Sequence, residues 1–415
     1  MRQKDRRFIK LIPITLVTVS LFCSALFSGC QLQTGETQPA SADSSASSAV
    51  AAADALPDTS EFAVLFVNVG KADAAIARFG DVTVLIDTGS EESAPQLIAG
   101  LNLLGVTKID ALFLTHSHSD HVGGLDALGA NYEIETVYLS SIGEQTKNGV
   151  EKVVKLCEGL SLPHAELNAG QSVAVTDDVS FSILGPLEMN EDDDNDNSLV
   201  LRFTVQNTTF LLTGDMQFAE EDTLLDAGID LSADVLKVGN HGNPDATGRL
   251  FAAAVSPALA IISTDTSADT NSASSRVVSA LSGAEVLVTE DFPLGVLLTL
   301  DDSGKPVVSD PAVPASGLAV SIGALDSDAQ TITLVNDSGA QADLSGCILY
   351  SERSGAVLRI PDGTLLSANG TLLVSGSDGN GDLHFSGEDK PLDKKKKNTV
   401  VLYSALGAQL DSLHQ

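Results

Sequence analysis

Ile109-Asp110-Ala111-Leu112-Phe113-Leu114-Thr115-His116-Ser117-His118-Ser119-Asp120-His121-Val122-Gly123-Gly124-Leu125 is the stretch on which the fold turns. By length and flanks the apolar run Ile109 to Leu114 reads as a buried β-strand. It delivers a short loop that leads into a helix beginning near Asp120. His116 and His118, two apart on an extended loop, can point toward one metal ion. Asp120 and His121, at the following turn, can point toward a neighbouring one. Imidazole nitrogen with carboxylate oxygen suits zinc, and manganese, iron or cobalt are compatible. Three of the chain's seven histidines fall in this loop, a concentration that an ordinary polar surface loop does not explain.

These residues resemble the HxHxDH signature of the metallo-β-lactamase superfamily. Further elements resemble the same family. Leu85-Ile86-Asp87-Thr88-Gly89 is similar to its early LIDTG element, whose aspartate braces the histidine loop and orients imidazole. Leu211-Leu212-Thr213-Gly214-Asp215 ends another apolar strand, and Asp215 matches the carboxylate that bridges two metals. Leu236-Lys237-Val238-Gly239-Asn240-His241-Gly242 resembles an LKVGHHG element, with Asn240 in place of its first histidine. The resemblance thus implies His116 and His118 on one metal, Asp120, His121 and His241 on the other, and Asp215 between. No convincing third histidine serves the first site, since His164 sits in a surface-like Leu-Pro-His-Ala context. One or two divalent metals are therefore expected. Phe66-Val67-Asn68-Val69-Gly70-Lys71-Ala72-Asp73-Ala74 and Asn197-Ser198-Leu199-Val200-Leu201 resemble elements of the metallo-β-lactamase domain of ComEC-type competence proteins. Lys71, Ala72 and Asn240 depart from that form.

Strands expected at Phe62 to Asn68, Ala74 to Phe79 and Val82 to Asp87 precede a helical run from Ala94 to Leu104. Later strands alternate with helices through about residue 300. The pattern alone supports α/β or α+β; the resemblance implies an α+β fold, the αββα sandwich, with two sheets face to face and helices outside.

The ends of the chain differ from its middle. Arg2, Lys4, Arg6, Arg7 and Lys10 precede an apolar stretch that closes in Leu26-Phe27-Ser28-Gly29-Cys30. This resembles a bacterial lipoprotein signal, with residues 1–29 removed and Cys30 lipidated. Residues 30–60 are rich in Ser, Ala, Thr and Gln and read as a tether. By the resemblance, residues 61–300 are expected to form the metallo-β-lactamase domain, and the Pro-, Ser-, Asp- and Gly-bearing stretch 301–316 reads as a linker. The alternating short strands of 317–415 resemble a lamin-tail domain, a small immunoglobulin-like β-sandwich. Within it, Lys394-Lys395-Lys396-Lys397 is a concentrated positive run, read as a solvated hairpin tip.

A formal charge of −33 repels polyanions unless metals or local cations compensate. Four cysteines, with Cys23 and Cys30 in the N-terminal segment and Cys157 and Cys347 far apart, offer no disulfide framework and no thiolate metal site. No GxSxG motif is present, and Cys157 lies in a helix of apolar period. The chemistry therefore falls to the metals. A water held by them loses its proton near neutral pH and becomes a hydroxide nucleophile. The expectation is an extracytoplasmic, lipid-anchored phosphodiesterase or nuclease whose rate depends on His118 and Asp120. Its substrate is nucleic acid or another phosphate-containing polymer, with Asn197 and Lys237 as candidate contacts. The alternatives are an envelope phosphoesterase or other ester or lactam hydrolase, and a metal-binding surface module with little turnover.

Overall fold

The computed structural model describes residues 59–143, 149–314 and 316–415. The signal segment, Cys30 and nearly all of the tether lie outside the described residues. Among the described residues, no helix is long and apolar enough to cross a membrane.

Two sheets lie face to face. The first has eight strands, ordered in space from Pro306–Ser309 and Gly295–Leu300, through Phe62–Val67, Ala75–Phe79 and Val82–Ile86, to Ala111–Leu114, Val137–Ser140 and His164–Leu167. The second runs from Glu285–Val288 through Leu259–Ile262, Val235–Lys237, Thr208–Leu212 and Val200–Val205 to Ser180–Gly185 and Ser172–Ala174. Each sheet joins an antiparallel portion to a parallel one. Val82–Ile86, Ala111–Leu114, Val137–Ser140 and His164–Leu167 are mutually parallel neighbours. So are Thr208–Leu212, Val235–Lys237, Leu259–Ile262 and Glu285–Val288.

Phe62–Val67 and Ala111–Leu114 read as unbroken apolar runs because both their faces are buried. In Phe62–Val67 the side chains of Phe62, Val64 and Phe66 enter the layer between the sheets. Ala63, Leu65 and Val67 face the opposite way, onto the helices Ala94–Leu103 and Leu125–Asn131. The layer between the sheets is rich in phenylalanine, with Phe203 and Phe210 stacked at 4.7 Å and Phe113 and Phe181 at 5.1 Å. On the far side, helices Phe218–Asp226, Arg249–Val255 and Ser275–Ala280 cover the second sheet through Leu224, Phe251 and Val277. Four layers result, helix on sheet on sheet on helix, as expected for the αββα sandwich.

One expectation is corrected. The stretch 301–316, read as a linker, contains the strand Pro306–Ser309, which pairs antiparallel with Gly295–Leu300 at the edge of the first sheet. Proline at the start of an edge strand withholds no hydrogen bond that the sheet needs.

Residues 317–415 form an all-β region. Val320–Asp326, Thr331–Asn336, Thr371–Ser375 and Leu383–His384 make one sheet, and Ala356–Arg359, Ile348–Ser351, Thr399–Tyr403 and Gln409–His414 another. They enclose a core that includes Leu334, Leu349, Phe385 and Leu402. This region is docked on the first domain. Ile348, Tyr350 and Val357 join the apolar layer of helix Ala94–Leu103. Asn102 donates to the carbonyls of Gly346 (3.0 Å) and Ala405 (2.9 Å) and accepts from the Arg359 guanidinium (2.6 Å).

Candidate metal centre

The site forms where strands of both sheets end at their carboxyl edges, the position at which open parallel sheets leave a crevice. Val82–Ile86 delivers Asp87, and Ala111–Leu114 delivers the histidine loop. Thr208–Leu212 delivers Asp215, and Val235–Lys237 delivers His241.

The histidine loop is laced to the turn after Asp87. The Thr88 amide (2.6 Å) and hydroxyl (3.0 Å) donate to the His121 carbonyl, and the Gly123 amide donates to Gly89 (2.9 Å). Gly123 and Gly124 are required by this close approach, since a Cβ on either would collide with backbone of Ser119, Glu91 or Thr88.

Asp120, His121, Asp215 and His241 each offer one donor atom, and these atoms all lie within 4.8 Å of one another. His121 Nε2 is 3.2 Å and His241 Nε2 3.3 Å from Asp215 Oδ2, while His241 Nε2 is 3.4 Å from Asp120 Oδ2. The two Nε2 atoms and Asp215 Oδ1 are buried without a hydrogen-bond partner among the described residues. Buried polar atoms left unpaired are costly, and two such imidazole nitrogens, each within 3.3 Å of the same Asp215 oxygen, fit a cation. The remaining ring nitrogens are held. His121 Nδ1 lies 2.8 Å from Asp87 Oδ2, and His241 Nδ1 lies 2.9 Å from the Ser263 carbonyl. These contacts set the tautomer that leaves each Nε2 free to ligate.

The electrostatics agree. Burial alone would push His241 down, but Asp215, Asp73 and Asp120 outweigh it and lift the imidazole to about 9. Burial likewise opposes charge on His121, yet Asp215 and Asp87 hold it well above the usual range. Asp215 resists its own burial because His241 and His121 hold it well below an ordinary carboxylate. Fields that favour protons on these nitrogens also favour a divalent cation, which would displace those protons on binding.

His116 and His118 lie beside this group. His116 Nε2 is 2.9 Å from His118 Nδ1, and His116 Nδ1 is 3.2 Å from both Thr115 Oγ1 and Ser198 Oγ. His118 is exposed and His116 buried. The structure thus brings all six expected ligands to one edge, with four of them gathered tightly. His164 is exposed on its strand, away from the group.

Asn197 and Lys237, read as candidate substrate contacts, are both buried and engaged within the walls of the site. Asn197 accepts from the Asn190 amide (2.8 Å) and donates to the Asn190 carbonyl (2.9 Å) and Asp194 (3.1 Å). The Lys237 ammonium is paired with Asp73 Oδ2. That pairing answers the group formed by Asp73, Asp87 and His121, whose carboxylates already hold Lys237 and Thr115.

Sequence reasoning named no role for Asp73, Thr115 or Ser198. Thr115 donates to Asp87 through its amide (2.7 Å) and hydroxyl (2.8 Å). Ser198 accepts from the Asp215 amide (3.1 Å) while contacting His116. Asp73 and Ser198 both lie in stretches singled out for their resemblance, so a signal was present without a function attached.

The last ligand is delivered with strain. Asn240 (φ 43°) and His241 (φ 52°) are consecutive left-handed residues, followed by Gly242. Asparagine tolerates that region, and Asn240 Nδ2 secures the turn by donating to Asp245 (3.0 Å). Left-handed histidine is uncommon and persists when its surroundings determine it.

A two-sheet α+β sandwich with histidines and aspartates collected at one edge defines a scaffold with a candidate metal centre. Residues 67–266 match the family described as "Metallo-beta-lactamase superfamily". That part of the chain is a metallo-β-lactamase superfamily domain. The chain is 30% identical over 223 residues to ComE operon protein 3 of Bacillus subtilis, covering 49% of this chain and 28% of that protein. It is 30% identical over 217 residues to competence protein ComA of Neisseria gonorrhoeae, covering 51% of this chain and 28% of that protein. The match thus spans little more than a quarter of either relative. Among solved structures, the metallo-β-lactamase fold protein YhfI from Bacillus subtilis is 15% identical with a TM-score of 0.40, covering 57% of this chain and 98% of that one.

Proposed function

We propose that the protein is a metal-dependent phosphodiesterase acting outside the cytoplasm from a lipid anchor at Cys30. The convergence of Asp120, His121, Asp215 and His241, with unpartnered buried nitrogens turned on one point, carries this reading. These four residues would hold a divalent cation, zinc by their donor chemistry, with His116 and His118 beside them for a second. Such a cation supplies Lewis acidity toward water and toward the oxygen on which charge develops.

The chain's own residues do the rest. Asp87 and the Ser263 carbonyl orient the imidazoles. Asp120, partly exposed at the mouth, is placed to orient a water. The names of the relatives, a ComE operon protein and a competence protein, favour a nucleic-acid phosphodiester over a carboxylic ester or lactam. We read 317–415 as a lamin-tail-like sandwich that presents the hydrolase to its polymer, a reading supported by its two four-stranded sheets around one core.

A second reading, a metal-binding surface module, is favoured by one observation: His116 and His118 contact each other outside the tight group. The purified protein and Asp120→Ala separate the two. Zinc content is measured by atomic emission, and hydrolysis is followed on bis(p-nitrophenyl) phosphate and on DNA. Hydrolysis that EDTA abolishes and Asp120→Ala removes is expected. Activity that persists in chelator overturns the hydrolase reading, and bound zinc without turnover selects the module.

A further inference from the structure

Lys71 occupies the turn between strands Phe62–Val67 and Ala75–Phe79, at the rim of the metal centre. Neighbouring anchors hold the turn in place. Val69 and Ala72 are buried, the Asp73 amide donates to the Asp120 carbonyl (3.0 Å), and the Gly89 amide donates to the Asp73 carbonyl (2.8 Å). The Lys71 backbone is therefore fixed relative to Asp120, and its ammonium lies 3.5 Å from Asp120 Oδ2. We propose that Lys71 is an anion-binding residue of this centre, its ammonium seating a phosphate oxygen beside the metal. The proposal rests on the phosphodiesterase reading above.

The existing ion pair is a poor reason for the lysine to be there. Both side chains are partly exposed, 33% for Lys71 and 27% for Asp120, and pairs of that kind contribute little. A cation coordinated by Asp120 would draw on the same carboxylate and weaken the pair further. An ammonium has three donors, and one carboxylate contact at 3.5 Å leaves capacity toward the open side.

Lys237 illustrates the contrast. It is buried, paired with Asp73 and closed to any ligand. Lys71 is cationic, held at the mouth and open. Its surroundings make that charge consequential, because Asp269 also lies within electrostatic reach of Lys71 and the whole chain carries −33. A phosphate approaching such a surface is repelled unless a local cation offsets it.

The test uses the zinc-loaded full chain with inorganic phosphate as probe, read by titration calorimetry, and zinc content by emission. One charge-assisted hydrogen bond to phosphate corresponds to about ten- to a hundredfold in affinity. Lys71→Ala should weaken phosphate binding by that factor with zinc content retained, and Lys71→Arg should recover most of it. KM for bis(p-nitrophenyl) phosphate should rise by a similar factor. Equal phosphate affinity in wild type and Lys71→Ala overturns the proposal. So does wild type that binds no phosphate, or zinc lost from Lys71→Ala. The two readings fail separately. Lys71-dependent phosphate binding without turnover sinks the phosphodiesterase alone, whereas turnover with Lys71-independent phosphate binding sinks the anion seat alone.

Discussion

Replacing Asp87 by asparagine exchanges one carboxylate oxygen for an NH2 group and should disable the tightest part of the metal centre. Asp87 Oδ1 accepts the Thr115 amide at 2.7 Å, which would keep the amide oxygen of an asparagine on that side. The amide nitrogen then stands where Oδ2 now meets the Thr115 hydroxyl (2.8 Å) and His121 Nδ1 (2.8 Å). The hydroxyl can rotate to accept, but His121 Nδ1 can accept only when it carries no proton. The proton of the neutral imidazole then sits on Nε2, the atom that faces Asp215 at 3.2 Å and is needed as a ligand.

Loss of an oriented outer partner generally costs ten- to a hundredfold in metal affinity. Here the partner is lost and the wrong tautomer is imposed. The expected loss is therefore about a hundredfold, roughly 2.7 kcal/mol. Competition for zinc against a chromophoric chelator at neutral pH measures it, with circular dichroism confirming that Asp87→Asn is folded. A folded Asp87→Asn protein that binds zinc as tightly as wild type would refute the reasoning, because His121 would then not be oriented by this carboxylate.

Two further outcomes follow from the geometry. Gly124→Ala places a methyl against the Thr88 carbonyl and should cost about 1–3 kcal/mol while loosening the histidine loop, seen as a lower Tm and weaker zinc binding; an unchanged Tm would contradict the close approach. Asn102→Ala removes two bonds to carbonyls of the C-terminal region and one from the Arg359 guanidinium, a loss of about 3 kcal/mol. Urea denaturation should shift accordingly, and no shift would mean that the all-β region is not docked through this contact.

The histidine loop was legible because it follows directly on an apolar strand. A β-strand is identified by its own side chains, and the loop after it inherits its position, so His116, His118, Asp120 and His121 could be placed without any long-range information, whereas Asp215 and His241 were placed by the family resemblance of the elements that carry them. Strands buried on both faces were equally plain, since Phe62–Val67 and Ala111–Leu114 carry their burial as continuous apolarity. Short edge strands were not. Pro306–Ser309 has four residues, begins with proline and exists because Gly295–Leu300 returns to offer it a partner. Asn197 and Lys237 looked available to a substrate because a polar side chain carries no local mark of what will neutralise it.

By itself, then, the sequence pattern determined a domain of mixed strands and helices, which the family resemblance sharpened to the layered α+β sandwich, and the ligand types, which rest on residues adjacent in the chain. Tertiary structure decided which polar groups meet. Lys237 lies 164 residues from the Asp73 it pairs with, and Asn102 lies 257 residues from Arg359. It also decided that four of the six expected ligands gather tightly while His116 and His118 stand beside them. The reason is physical: apolar burial acts through the side-chain pattern of each strand, whereas a hydrogen bond or a metal site requires atoms placed to within tenths of an ångström. Only the packing of both sheets supplies that placement.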